Sequence, residues 1–328
     1  MLSHGQFVFG PEVAEFEKEF AAFCGTRFAI GLNSGLDALV LALRALGIGH
    51  GDEVITPPNS YIASSGAIGL LGASPVFVDV GDDYNIDPTL IENAITPKTK
   101  AIMPVHIYGQ PVDMEKLLSI ASEYKLTITE DASESLGSFL NYKHTGTFGE
   151  IGCLSFNGNK IITTGGGGAI LTNADTLAEQ IRHMSTTAKI AHPWELSHDE
   201  IGYNYRMPNI NAALGCAQLE LFPKLIENKR NLHMKYKKEL EGIPWLRLIS
   251  EKKESISNYW LNTIILGNNE DSFQKKLIET CHKEKIFLRP SWKPLHLLPM
   301  FQSCPKSELN TASFLQNKIV NLPSSAFL

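Results

Sequence analysis

The sequence predicts an α/β protein: a mostly parallel central sheet covered by helices on both faces, followed by a smaller C-terminal α+β domain. Three observations predict it. Strand-like and helix-like patterns alternate from Phe28 to about Thr129, and such alternation builds parallel sheets from crossover units. The run Val76-Phe-Val-Asp-Val80 is short and almost wholly apolar, as a strand buried on both faces must be. From about Lys224 onward the alternation gives way to the end of a long helical run, then strands and one amphipathic helix. The division expected is a large domain over residues 1–223 and a small one over 224–328.

In chain order, Pro11 opens a helix through Phe23, with Val13, Phe16 and Phe20 at helical spacing. Strands are expected near Phe28–Leu32, Glu53–Thr56, Pro75–Val80, Ala101–His106 and Leu126–Thr129, with helical runs between them. Short strands at Cys153–Phe156 and Ala169–Thr172 flank a glycine-rich turn, and Ala174–Met184 is helical. Pro208 opens a helical run to about Leu240 that is expected to break near Pro223. Ser272–Lys283 is the amphipathic helix, and Trp292, Pro294 and Pro299 mark a loop.

Bulk properties agree with a globular enzyme. At 328 residues the chain can bury a large core. A net charge of -6 provides no basic field for nucleic acid, so an anionic small substrate has to be met by a few specific Lys, Arg or His side chains. No stretch has the length of a transmembrane helix. The start, Met1 to Gln6, has neither the basic cluster nor the apolar run of a signal peptide. Cys24, Cys153, Cys216, Cys281 and Cys304 are scattered and contain no Cys-x-x-Cys pair, which suits reduced thiols in a cytoplasm and gives no zinc site. His106 and His296 stand beside site segments, where a structural role is the expectation for both.

Three motifs carry chemistry. Lys160 lies in Ser155-Phe-Asn-Gly-Asn-Lys160, without a neighbouring charge and close to four glycines, Gly165–Gly168. A solvated loop lysine is the ordinary reading, but a lysine on such a tight turn is also placed to bond a carbonyl cofactor. Upstream, Thr127-Ile-Thr-Glu130-Asp131 puts a carboxylate at the end of a strand, where ligands bind in α/β proteins. Asp131 is the candidate, since Glu130 points to the other side of the strand; a helix cap is its plain alternative. Further upstream, Asn33-Ser34-Gly35-Leu36 opens a helix whose first free N–H groups suit a phosphate.

In this order the motifs resemble the sugar-nucleotide aminotransferases of the DegT/DnrJ/StrS family, and the resemblance runs over nearly the whole chain. Gly51-Asp-Glu-Val-Ile-Thr-Pro57, Pro104-Val-His-Ile-Tyr-Gly109 with Pro111-Val-Asp-Met114, Glu130-Asp-Ala132, Ser155-Phe156 with Lys160, and Gly202-Tyr-Asn-Tyr-Arg-Met207 with Gln218-Leu219 are its separate matches. The resemblance implies a type I pyridoxal-phosphate transferase fold, like that of aspartate aminotransferase. It implies pyridoxal 5′-phosphate, with Lys160 as its Schiff-base lysine and Asp131 on its pyridine nitrogen. Ser34, Gly35 and Leu36 would form its phosphate turn, Leu36 without the hydroxyl of the family's usual threonine, and Ser155 would add its own hydroxyl. Tyr61 would stack on the pyridine face. Glu134 takes the place of the family's Gln or His near a cofactor oxygen. Asn204 would reach across a homodimer to the partner's phosphate site. Without the resemblance, Tyr61 reads as core packing and Asn204 as a loop residue.

The function so implied is transfer of an amino group, with glutamate as donor, to a keto sugar nucleotide for polysaccharide or lipopolysaccharide synthesis in the cytoplasm. The first half of the chain looks like the branch that aminates C3 of dTDP-linked 3-keto-6-deoxy sugars. The residues beside Lys160 look like the branch that aminates C4 of UDP-linked 4-keto-6-deoxy sugars, as for bacillosamine and legionaminic acid, and the expectation leans that way. Both ends look short beside the family pattern, so a non-catalytic remnant of the fold is a competing expectation. A dehydratase of the same structural family would carry His at the position of Lys160. A nucleotide-binding oxidoreductase would show Gly-x-Gly-x-x-Gly after the first strand, and none is present.

Overall fold

The computed structural model describes residues 5–267 and 272–328. Met1–His4, part of the start read above, lie outside the described residues. The large sheet contains β1 (Phe28–Leu32), β2 (Glu53–Thr56), β3 (Ser74–Phe77), β4 (Thr99–Ile102), β5 (Thr127–Asp131) and, after the short hairpin strands β6 (Phe139–Leu140) and β7 (Lys143–His144), β8 (Ile151–Ser155) and β9 (Gly168–Thr172). Its spatial order is β1-β9-β8-β5-β4-β2-β3. The β8-β5-β4-β2-β3 run is parallel, and β9 alone runs antiparallel to its neighbours β1 and β8. The expected mostly parallel sheet is therefore present.

Alternation along the strands explains the layers. Ile30 and Leu32 of β1, Val54 of β2, Ile151 and Cys153 of β8 and Ile170 of β9 pack on α2 (Gly35–Ala45), α3 (Ile62–Leu70) and α5 (Asp175–Ser185). Ala29, Leu154, Ala169 and Leu171 point the other way, onto α1 (Pro11–Cys24) and α6 (Asn209–Leu240), while Ile55, Ile102 and Ile128 meet α4 (Met114–Tyr124). Successive strand residues face opposite sides, so a strand covered on both faces has to be apolar at nearly every position.

Helix ends follow local chemistry. Ser34 caps α2 by accepting from the Asp37 N–H at 3.0 Å, and Asp113 caps α4 by accepting from Lys116 N–H. Gly25 ends α1 in the left-handed region at φ 75°, which a residue without Cβ adopts freely. One expectation is corrected here. The long helix does not break at Pro223; α6 runs without interruption from Asn209 to Leu240. Pro223 forgoes one backbone bond, but Phe222 and Leu225 on either side are buried against α1 and the sheet, and that packing holds the helix through the defect.

The C-terminal part forms a four-stranded antiparallel sheet of order β10-β12-β14-β13, from β10 (Leu246–Leu248), β12 (Thr263–Leu266), β13 (Arg289–Pro290) and β14 (Ile319–Asn321). Helix α7 (Phe273–Lys283) covers it through Leu277 and Ile278, and the one-and-a-half-turn α8 (Asn310–Leu315) lies before β14. Strand β11 (Ser255–Ile256) pairs with β6, so a strand of the C-terminal half completes a separate three-stranded sheet, β11-β6-β7, with the hairpin between β5 and β8. All five cysteines are free, as expected.

Candidate active site

The C-terminal ends of β1, β5 and β8, the start of α3 and the C-terminal strands enclose one cleft of about 830 Å³. Ser34, Gly35, Leu36, Tyr61, Asp131, Glu134, Ser155 and Lys160 all line it. Eight residues singled out from separate stretches of the sequence thus converge. Asn204 does not line this cleft; it is exposed and pairs with Thr186 in an isolated bridge.

Each group is placed by its local structure. Asp131 is the last residue of β5, with its Oδ2 accepting from Ser64 Oγ at 2.7 Å and its Oδ1 from the Ser133 N–H at 3.2 Å. Glu130 does face the other side. It is buried, accepts from His106 Nε2 at 2.9 Å and takes the N–H groups of Gly146, Phe148 and Gly149. Burial works against its charge, but the His106 bond and those N–H groups outweigh it and hold its pKa below the ordinary carboxylate value. His106 is therefore structural: its other ring nitrogen meets the Val112 N–H at 3.1 Å.

Close packing shapes the turn expected to hold a phosphate. A Cβ on Gly35 would come within 2.8 Å of the Ser155 Cβ, and one on Gly168 would meet the Ser34 carbonyl oxygen at 2.4 Å. Glycine at both positions lets the end of β8, the glycine run and the first turn of α2 touch, so the N-terminus of α2 opens into the cleft beside Ser155.

Lys160 carries the only amine of the 157–160 turn. Burial pulls its pKa down from 10.5, and the carboxylates of Glu134 and Asp131 pull it partly back. Glu134 responds in the opposite sense: burial pushes it up to about 7, against Lys160 and the Tyr108 N–H, which donates to its Oε2 at 2.7 Å. Burial thus moves the proton affinities of the two groups towards each other, which lowers the cost of passing a proton between them and a ligand.

The residues present fit pyridoxal 5′-phosphate: an amine, a buried carboxylate and a helix N-terminus line one cleft with room for the ring. The model for the DegT/DnrJ/EryC1/StrS aminotransferase family matches residues 1–328. The chain belongs to this family. It is 40% identical over 316 residues to the GDP-perosamine synthase of Escherichia coli O157:H7, covering 96% of this chain and 85% of the relative. Among solved structures it is similar to DesV of S. venezuelae, with TM-score 0.93 and 34% identity over 100% of this chain and 87% of that one. A PLP-form structure of the putative sugar aminotransferase Spr1654 from Streptococcus pneumoniae matches with TM-score 0.94 and 26% identity over 99% and 88%. The protein is a pyridoxal-phosphate-dependent sugar aminotransferase with the type I transferase fold, acting on a sugar nucleotide with an amino donor.

Several site residues were invisible in the sequence. Ser64 holds Asp131 across 67 residues of chain. Trp260 lays its ring 4.1 Å from the Lys160 Nζ. Lys229 of α6 is buried at the cleft wall, donating to the carbonyls of Trp260 and Ser324, and burial lowers its pKa to about 8. Trp292, read as a loop marker, stands at a tilt 5.9 Å from Tyr61. Among the described residues, no cluster of His, Cys, Asp and Glu could hold a metal ion, and no helix is long and apolar enough to cross a membrane.

Proposed function

We propose that the chain is a cytoplasmic, homodimeric transaminase that moves an amino group from glutamate to C4 of a UDP-linked 4-keto-6-deoxy sugar. The observation that carries the site assignment is the convergence of Lys160, Asp131 and the α2 N-terminus on one cleft. When bound, the cofactor supplies the electron sink for the carbon–hydrogen bond broken at the donor α-carbon. The protein does the rest. The free N–H groups at Ser34–Leu36 and the Ser155 hydroxyl bind the phosphate and set the depth of the ring. Asp131, kept in place by Ser64 and the Ser133 N–H, holds a proton on the ring nitrogen. Tyr61 covers one ring face. Lys160 anchors the cofactor through Nζ, and once freed takes a proton from the donor α-carbon; burial lowers its proton affinity and so favours the neutral amine that a base requires. Glu134, poised near neutrality, hydrogen-bonds the cofactor's ring oxygen. Asn204, exposed and outside its own cleft, extends to the phosphate turn of a second copy.

The residues beside Lys160 support the C4 reading. The similarity to a GDP-perosamine synthase supports a GDP-linked acceptor as the chief competitor for the nucleotide, and the Asn33–Leu39 stretch supports a C3 acceptor carried on dTDP. Two measurements test the proposal. Borohydride reduction of the cofactor-loaded protein, followed by peptide mass spectrometry, should place the adduct on Lys160. A panel of UDP-, GDP- and dTDP-linked 4-keto and 3-keto sugars with glutamate should then show the highest turnover with the UDP-linked 4-keto sugar. An adduct elsewhere defeats the site, and preference for another acceptor defeats only the substrate.

A further inference from the structure

We infer that Trp260 is a positioning residue for Lys160: its indole fixes the 157–160 turn and gives the free amine a resting place on the ring face. This deepens the reading above and rests on Lys160 being the cofactor lysine.

The ring engages the turn twice. Its Nε1–H donates to the Asn159 carbonyl at 2.9 Å, and its centroid lies 4.1 Å from the Lys160 Nζ. The indole is itself immobilised. Its backbone N–H donates to Asn258 Oδ1 at 2.8 Å, and its carbonyl accepts from Lys229 Nζ at 3.0 Å. Asn258 Nδ2 in turn donates to the carbonyls of Glu134 and Leu136, each at 2.9 Å. Trp292 stacks nearly parallel to Trp260 at 6.3 Å, and Trp260 is only 5% exposed. Residues 257–260 thus form a strap from the C-terminal half that is bolted to the turn after β5 and to α6, and it presents one aromatic face to the catalytic amine.

The physical consequence is specific. A lysine released from its cofactor has four flexible methylenes, and ordering them costs rotamer entropy. A ring face attracts an ammonium group through its quadrupole, most strongly where water is excluded. Docking there keeps the amine within reach and favours its protonated form, opposing burial. The charged groups acting on Lys160 are Glu134 in the turn after β5 and Asp131 at the end of β5, while Lys229 of α6, bonded to the Trp260 backbone carbonyl, and Arg289 of β13 also line the cleft.

The test uses the cofactor-loaded protein with Trp260→Phe and Trp260→Leu, Trp260→Met standing in if the Leu variant does not fold. The wild-type borohydride adduct at Lys160 is verified first; its absence means that the cofactor reading fails, not the role of the indole. The rate of the visible absorbance change on adding glutamate is then followed against pH in single turnovers. Loss of the ring face should move the acid-side midpoint of that rate down by about half a unit to one unit. Trp260→Phe keeps the face and loses the Asn159 bond, so it should retain the wild-type midpoint with a slower rate. If Phe and Leu variants behave alike, or if the Leu midpoint stays with the wild type while only thermal stability changes, the inference is overturned.

Discussion

Glu134→Gln should make the cofactor-free protein more stable at alkaline pH and change it little in acid. The carboxyl is 6% exposed, and burial lifts its pKa from 4.5 to about 7. A folded-state pKa above the unfolded value means that the native state binds the proton more tightly. That contribution is fully present below pH 4.5 and is lost as pH rises through 7. At pH 8.5 the ionised, buried group therefore costs about 3 kcal/mol relative to the protonated state. At pH 5.5 the unfolded chain is already mostly ionised there, and the cost is only about 1 kcal/mol. Glutamine keeps an oxygen for the Tyr108 N–H and carries no charge, so it escapes both costs. Urea unfolding of wild type and variant at the two pH values reads the difference directly: the variant should gain about 2 kcal/mol on wild type between pH 5.5 and 8.5. A gap that stays the same within about 0.5 kcal/mol would refute the claim that burial dominates this carboxyl.

Three further outcomes are expected. Lys160→Ala removes anchor and base together, so turnover should fall far more than tenfold; a loss under about tenfold, a barrier change of ~1.4 kcal/mol, would defeat the assignment. Gly35→Ala pushes a methyl against the Ser155 Cβ at 2.8 Å, so the phosphate turn must open; cofactor titration should show binding weakened by about tenfold or more, and unchanged affinity would move the phosphate elsewhere. Leu41→Ala empties a fully buried site on the inner face of α2 and should cost about 2–5 kcal/mol by equilibrium unfolding; a loss below about 1 kcal/mol would mean that the helix collapses onto the sheet without a cavity.

The alternation of strand and helix was legible because runs such as Val76–Val80 are almost wholly apolar and helices such as α1 repeat apolar residues at helical spacing, and both patterns are local properties of the chain. The placement of Glu130 and Asp131 on opposite sides of β5 followed from the same pleat. Pro223 misled, since its local penalty is real but the burial of Phe222 and Leu225 exceeds it. The glycines of the proposed phosphate turn could be seen, but not their reason: Gly35 meets a serine 120 residues away, a contact that no window of sequence contains.

What the amino-acid sequence determined by itself is the order of layers and the candidate groups of the site, an amine, an acid and a helix start, because residue type and short-range periodicity set both. What only the tertiary structure decided is their environment. Ser64 on Asp131, the Tyr108 N–H on Glu134 and the Trp260 face on Lys160 all come from distant segments. Proton affinities depend on burial and on charges a few ångströms off, and those distances exist only after the chain has closed on itself.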